Sequence, residues 1–312
     1  MRERVAEVVL AALYLRGAPR AADPPKRGWP GVVAALRRER PSLGEAASVL
    51  RKAGATLPAT LLDSGGLLAW AEEAVEEGYV LTAVSPGYPR RWLEGMGESA
   101  APAFWRSPSG VLEDGGSWVG AVGSREVSSS VEDYLAEVAA QAGRLGHGIL
   151  SGGAVGCDSA AERAALHIGT PVLRLLPHGL RFRCEDDGAV QLSLAAPDEP
   201  FSRALAMERN ALIYGGAQVT VVGHARLRAG GTWHGATEAL RRRLGHIVVR
   251  PDDSAAVRAL RALGAGQLSD PRDLSYALAS APAQSALFAF ENSRLCENRR
   301  PASLYDWPAF AI

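Results

Sequence analysis

From Ser117 onward the chain repeats one unit: a short apolar run, a glycine-punctuated turn, then a segment with apolar side chains at helical spacing. Strands separated by helical segments cannot pair as hairpins, so the repeat dictates a parallel sheet with crossover helices covering both faces. The first unit is the clearest. Residues 119–122 read as a strand, and Val131, Tyr134, Leu135, Val138, Ala139, Ala142 and Leu145 follow at helical intervals. The same reading expects strand 147–151, helix 158–167, strands 171–176 and 190–195, helix 202–214, strand 217–222, helix 232–244 and strand 246–250. The fold class is therefore α/β, a doubly wound, mostly parallel sheet.

The flanks read differently. Residues 1–80 resolve into short helices at 2–16, 30–39, 43–53 and 65–77, broken by Pro and Gly, and are expected to form a small helical N-terminal domain. Between 79 and 116 the pattern is irregular, with Pro86, Pro89, Pro102 and Pro108 among Tyr88, Trp92, Phe104 and Trp105, as in a packed connector. Residues 252–278 read as one more helix and a short return through Gly264 and Gly266. The expected units are thus 1–80, the sheet domain with its lead-in at 81–278, and a C-terminal tail of undefined order at 279–312, with Trp307 and Phe310 near its end.

Charge narrows the function classes. The 34 basic and 34 acidic residues cancel, which argues against coating a polyanion by bulk attraction and leaves a local basic face as the alternative. Such a face is visible between 201 and 250, where Arg203, Arg209, Arg226, Arg228, Arg241, Arg242, Arg243 and Arg250 oppose only Glu208 and Glu238. The Arg241 to Arg243 run by itself reads as a solvated helix face. Cys157, Cys184 and Cys296 are far apart and odd in number, which suits a reducing compartment. No apolar run is long enough to span a bilayer and no signal-cleavage pattern follows Met1, so a cytoplasmic protein without membrane attachment is expected.

Two glycine turns carry the ligand chemistry. The first is Gly120-Ala-Val-Gly123-Ser124-Arg125, and the second is Ser151-Gly152-Gly153-Ala-Val-Gly156-Cys157-Asp158. Glycines at a strand end let backbone N–H groups face an anion while the next helix directs its positive end at it. The first turn is not Gly-x-Gly-x-x-Gly, and Ser151 stands where a ribose-binding acid is wanted, so a nicotinamide or flavin cofactor is not expected. Ser124 offers a hydroxyl and Arg125 a bidentate fork instead. Asp158 reads as a helix N-cap, and Cys157 as an inert small residue in a turn whose field would favour the thiolate. Arg209 and Asn210 open towards the strand ends, and Gly230-Gly231-Thr232 forms a further turn followed by Glu238. That glutamate is either a catalytic carboxylate or a surface partner of Arg241 and Arg242. The six histidines lack metal spacing, and His234 is singled out only because it lies in the third turn.

In this order, Gly123-Ser124-Arg125, Ser151-Gly152-Gly153 to Asp158, Arg209-Asn210 and Gly230-Gly231-Thr232, with Tyr88-Pro89-Arg90 upstream, resemble the DprA/Smf DNA-processing family. The resemblance implies an extended Rossmann-like fold and a non-enzymatic protein that binds single-stranded DNA. It implies phosphate contacts at Gly123, Ser124, Arg125, Ser151, Gly152, Gly153, Gly156, Asp158, Arg209, Asn210, Gly230, Gly231 and Thr232, self-association as a homodimer, and loading of RecA recombinase during natural transformation (competence) and DNA recombination. Two positions depart from the family pattern: Glu162 stands where its His is usual, and Ala211 where a second Arg is usual, both making the pocket less basic. The alternative is a nucleotide-binding protein, or an enzyme similar to the "lonely guy" nucleoside-monophosphate phosphoribohydrolases. There Arg209 and Glu238 would act on the N-glycosidic bond.

Overall fold

A computed structural model of the chain describes residues 2–17, 28–55, 65–97, 100–110, 112, 116–183 and 187–281. Most of the expected tail, with Trp307 and Phe310, lies outside the described residues, as do Cys184 and Cys296. The sheet has nine strands, in the order β1-β2-β6-β5-β4-β3-β7-β8-β9. They are β1 (Val80–Thr82), β2 (Ala103–Arg106), β3 (Ser117–Val122), β4 (His147–Ser151), β5 (Val172–Leu176), β6 (Val190–Ser193), β7 (Val219–Val222), β8 (His246–Val249) and β9 (Gly266–Gln267). From β6 to β9 every neighbouring pair is parallel. The chain moves outward from β3 to β6, then returns to β7 on the other side of β3. The doubly wound reading holds, and the reversal between β3 and β7 is a topological switch point, where open α/β sheets place ligands.

Helix Ser129–Arg144 follows β3 and buries Val131, Leu135, Val138, Ala139 and Ala142 against the sheet. Burying each large side chain of this stripe contributes about 1.5–3 kcal/mol. Leu145, counted in the same stripe from the sequence, ends at the C-cap and is 41% exposed. Helices Cys157–His167, Arg203–Gly216 and Gly230–Arg242 occupy the other expected crossovers. No helix among the described residues is long and apolar enough to cross a membrane.

Two expectations need correction. The irregular stretch at 79–116 contains β1, helix Arg90–Gly95 and β2, with β1 antiparallel to β2 and β2 antiparallel to β6. These strands are too short for period-2 alternation, and all of β1 is buried, so the alternation signal was missing. The return after the helix at 255–262 adds β9 as an edge strand, followed by helix Leu274–Ser280.

The proline and aromatic stretch is packed, as its composition suggested. Trp92 is fully buried and donates from Nε1 to the Leu212 carbonyl at 2.7 Å, and the Tyr88 hydroxyl donates to Ala101 O at 2.6 Å. Trp92 and Phe104 stack with centroids 4.7 Å apart. Through these rings the buried side chains of helices Arg2–Ala11 and Gly28–Glu39 join the core of the sheet without a break.

Candidate functional site

The loops after β3, β4 and β7 meet at the carboxyl ends of the strands. The Ser124 amide donates to His224 O at 3.0 Å, and the Cys157 amide to Ser124 O at 3.2 Å, stitching the three together. Gly156 has φ of +95°, and a Cβ on it would overlap the carbonyl oxygens of Ser124 and Arg125. A side chain on Gly152 would overlap Arg209 Nη1. The glycines are therefore needed for backbone to approach backbone, and for the Arg209 guanidinium to lie on the β4 loop.

Many of the expected phosphate donors turn inward. Asp158 is buried in the first turn of the helix rather than capping it, since Gly156 is the N-cap. Its carboxylate accepts from the Gly152 amide at 3.1 Å and faces Arg209 Nη1 at 3.9 Å. Glu162 accepts from the Gly153 amide at 3.0 Å and from the Ser151 hydroxyl. The Gly156 amide donates to Ser159 Oγ at 3.1 Å. Thus Ser151, Gly152, Gly153 and Gly156 position Arg209 and the helix, while their donors serve internal acceptors. The expectation that they lie open to a phosphate is corrected on this point.

Glu162 has a partner that the sequence did not show, though its charge still acts on Arg209 and Asp158. Arg174, on β5, binds Glu162 Oε2 through Nη2 at 2.6 Å and Asp187 Oδ2 at 2.8 Å, with the Glu162 and Arg174 side chains each 4% exposed. Burial works against the Arg174 charge, but the bonds from Asp187 and Glu162 outweigh it and raise its pKa. Sequence reasoning passed over Arg174 because it sits in an apolar strand, where its charge had no visible partner. Asp158 is pushed up to about 6, first by burial, against the opposing pull of Arg209. The Cys157 thiol is pushed up to about 12 by burial and by Asp158, so the turn does not activate it, and it is the inert residue expected.

The open cationic groups lie around this core. Arg125, Arg226 and Arg228 are exposed and lack carboxylate partners among the described residues. Arg209, largely covered, has an Nε without an acceptor among the described residues. The helix starting at Gly230 has no side-chain cap and no acid in its first turn, so the amides of Gly230, Gly231 and Thr232 present unpaired donors towards the same edge. Asn210 reaches the Gly231 carbonyl only at 3.5 Å. The basic run divides in two: Arg203, Arg226, Arg228 and Arg250 lie at the carboxyl edge, whereas Arg241, Arg242 and Arg243 sit at the far end of helix Gly230–Arg242.

Glu238 pairs with Arg241 at 2.6 Å and Arg242 at 4.0 Å, the surface reading of that residue. It lines a cavity of about 280 Å³ with Met207, Asn210 and Gly235, whereas Arg209 is not in that lining and lies against Gly152. The structure does not bring Arg209 and Glu238 into one cavity. His234 is exposed, and no group of three or more His, Cys, Asp or Glu side chains able to hold a metal occurs among the described residues.

A doubly wound sheet with exposed arginines on the loops at its switch point defines a Rossmann-like α/β protein. Residues 79–275, well over half of the chain, match the model of the DNA recombination-mediator protein A family, and the chain belongs to that family. Among solved structures it is similar to DNA processing protein A (DprA) from Streptococcus pneumoniae, with 19% identity, a TM-score of 0.59, and coverage of 88% of this chain and 97% of that one. It also matches DprA from Helicobacter pylori, described for its single-stranded DNA binding mode, at 21% identity and TM-score 0.47, covering 52% of this chain and 80% of that one. The molybdenum cofactor binding protein of Rippkaea orientalis matches at 15% identity and TM-score 0.43, covering 53% and 96%. No curated protein gives a significant match.

Proposed function

We propose that the carboxyl edge of the sheet holds the phosphate backbone of single-stranded DNA, without catalysis, as a recombination mediator. The observation that carries this reading is the convergence of Arg125, Arg226 and Arg228, exposed and without carboxylate partners among the described residues, on the uncapped start of helix Gly230–Arg242. Guanidinium forks and first-turn amides both suit phosphate oxygens and read no base, so binding is independent of sequence. Arg209 sits beneath them as a second layer of positive charge, partly neutralised by Asp158. Family membership supports the DNA class of ligand. The proposal extends to self-association and to delivery of RecA onto the bound strand in the cytoplasm, read out by sedimentation and by filament assembly on coated DNA.

The test is fluorescence anisotropy of a labelled oligothymidylate. Binding is strong at low salt and falls linearly on a log–log plot as salt rises. An oligonucleotide that fails to bind at low salt ends this reading.

A further inference from the structure

A second cavity, of about 470 Å³, opens where helix Gly65–Glu76 meets the loops that follow β5 and β6. Trp70, Tyr79 and Trp105 form its aromatic wall, and Arg106, Arg181 and Arg183 line it against a single acidic residue, Glu73. Trp70 and Trp105 lie with ring centroids 5.3 Å apart at 53°, and Tyr79 is 46% exposed. Arg181 is engaged by Asp198 at 3.2 Å, in an exposed pair. Arg106 and Arg183 have no carboxylate partner among the described residues; Arg106 donates to the Gly110 carbonyl at 3.0 Å and Arg183 to the Leu180 carbonyl at 3.3 Å. The Nε of Arg106 is enclosed without any acceptor among the described residues. A guanidinium has more donors than such single contacts use.

Aromatic faces beside unpaired guanidinium groups match one ligand chemistry, a flat heterocycle carrying a phosphate. The volume falls in the range of small-ligand sites. We infer that this cavity takes a nucleotide unit, the base against the aromatic wall and the phosphate on Arg106 and Arg183. The inference rests on the DNA-binding reading for one of its two possible sources, a nucleotide of the strand already held at the carboxyl edge; the other source is a free nucleotide.

Position favours the strand. Trp105 is paired with Ser193, the last residue of β6, and the Arg181 amide donates to Pro197 O at 3.0 Å, so one end of the cavity reaches the carboxyl edge where the open arginines lie, while Arg106 sits level with Leu192 within the sheet. In the sheet order, β2, which carries Trp105, and β3 are separated by β6, β5 and β4. At ~4.8 Å between neighbouring strands that is about 19 Å. At ~3.4 Å per nucleotide, about six nucleotides bridge the gap. A strand anchored near Arg125 reaches the aromatic wall without a turn in the protein.

The experiment compares oligothymidylates of about four and about twelve nucleotides on the wild-type protein, Tyr79→Ala and Arg183→Glu, with tryptophan quenching by thymidine monophosphate in parallel. Both substitutions are at exposed positions, and unchanged thermal unfolding checks the fold. The expected result is that each variant binds the longer oligonucleotide about tenfold more weakly and the shorter one within about twofold of wild type. Equal losses on both lengths, or none, overturn the strand as the source. If neither oligonucleotide binds the wild type at low salt, the DNA-binding reading fails, and the cavity is judged on the mononucleotide alone. Quenching by thymidine monophosphate that is lost in Arg183→Glu supports a free-nucleotide site; no quenching, or equal quenching in wild type and variant, overturns the site.

Discussion

Glu162 and Arg174 form an ion pair of 2.6 Å inside the sheet domain, and Arg174 reaches on to Asp187 at 2.8 Å. The acidic side chain is thus paired in the fold, by a guanidinium that it shares with Asp187. The glutamate has a structural task, holding the Ser151 hydroxyl and the Gly153 amide, and its charge is answered from the neighbouring strand.

Breaking one side of that pair is expected to be costly. Arg174→Ala leaves Glu162 charged and buried, with an expected loss of ~3–5 kcal/mol, read as a lower urea midpoint. The double variant Glu162→Leu/Arg174→Met removes both charges and returns most of that loss. A double variant as unstable as the single one would show that the pair is not the source.

The DNA-facing arginines are expected to act through phosphates. Arg125→Ala and Arg228→Ala should each weaken binding of different sequences equally and reduce the salt slope by about 0.7–1 for each phosphate that the arginine neutralises. Anisotropy titrations at several salt concentrations measure both effects.

Asp158 makes the site sensitive to acid. Its carboxyl titrates at about 6 in the folded chain against an ordinary 3.8, because burial outweighs the nearby Arg209. A raised folded value means that the native state binds the proton more tightly, so this contribution to stability is complete below about pH 4 and is lost as pH rises through about 6. Protonation also frees the Arg209 charge, so oligonucleotide affinity should rise as pH falls through that window. Glu162, Arg209 and Tyr214 act on the same group, and Asp158→Asn separates their effects. It should flatten both profiles.

Gly152 and Gly156 should fail in different ways. Gly152→Ala pushes the Arg209 guanidinium off the β4 loop, and binding is expected to fall about tenfold with little loss of stability. Gly156→Ala combines a positive φ with overlap against two backbone carbonyls, so it should cost ~1–3 kcal/mol or more in unfolding measurements.

Glu238 separates the binding reading from the hydrolytic one. Since it pairs with Arg241 and does not share a cavity with Arg209, Glu238→Ala should leave oligonucleotide binding within about twofold. Chromatography after prolonged incubation with nucleoside monophosphates should show no free base. Release of base that disappears in Glu238→Ala would reinstate the enzyme.

The periodicity of the sequence by itself determined the parallel core. The strands from β3 to β8 are mostly buried, largely apolar runs, with Arg174 in β5 and Gln191 and Ser193 in β6 as polar exceptions, and such local signals need no knowledge of neighbours. The glycine turns and Arg125 were legible for the same reason. The strands β1, β2 and β9 were not, because two to four residues carry no period and owe their place to the sheet edge they join. Only the tertiary structure decided where the donors point. Asp158 and Glu162 fold back to satisfy the amides that an open turn would have offered a ligand, and Arg209 faces the first while Arg174 arrives from another strand to pair with the second. Hydrogen-bond satisfaction inside a buried cluster is a property of the packed neighbours, and no spacing along the chain encodes it.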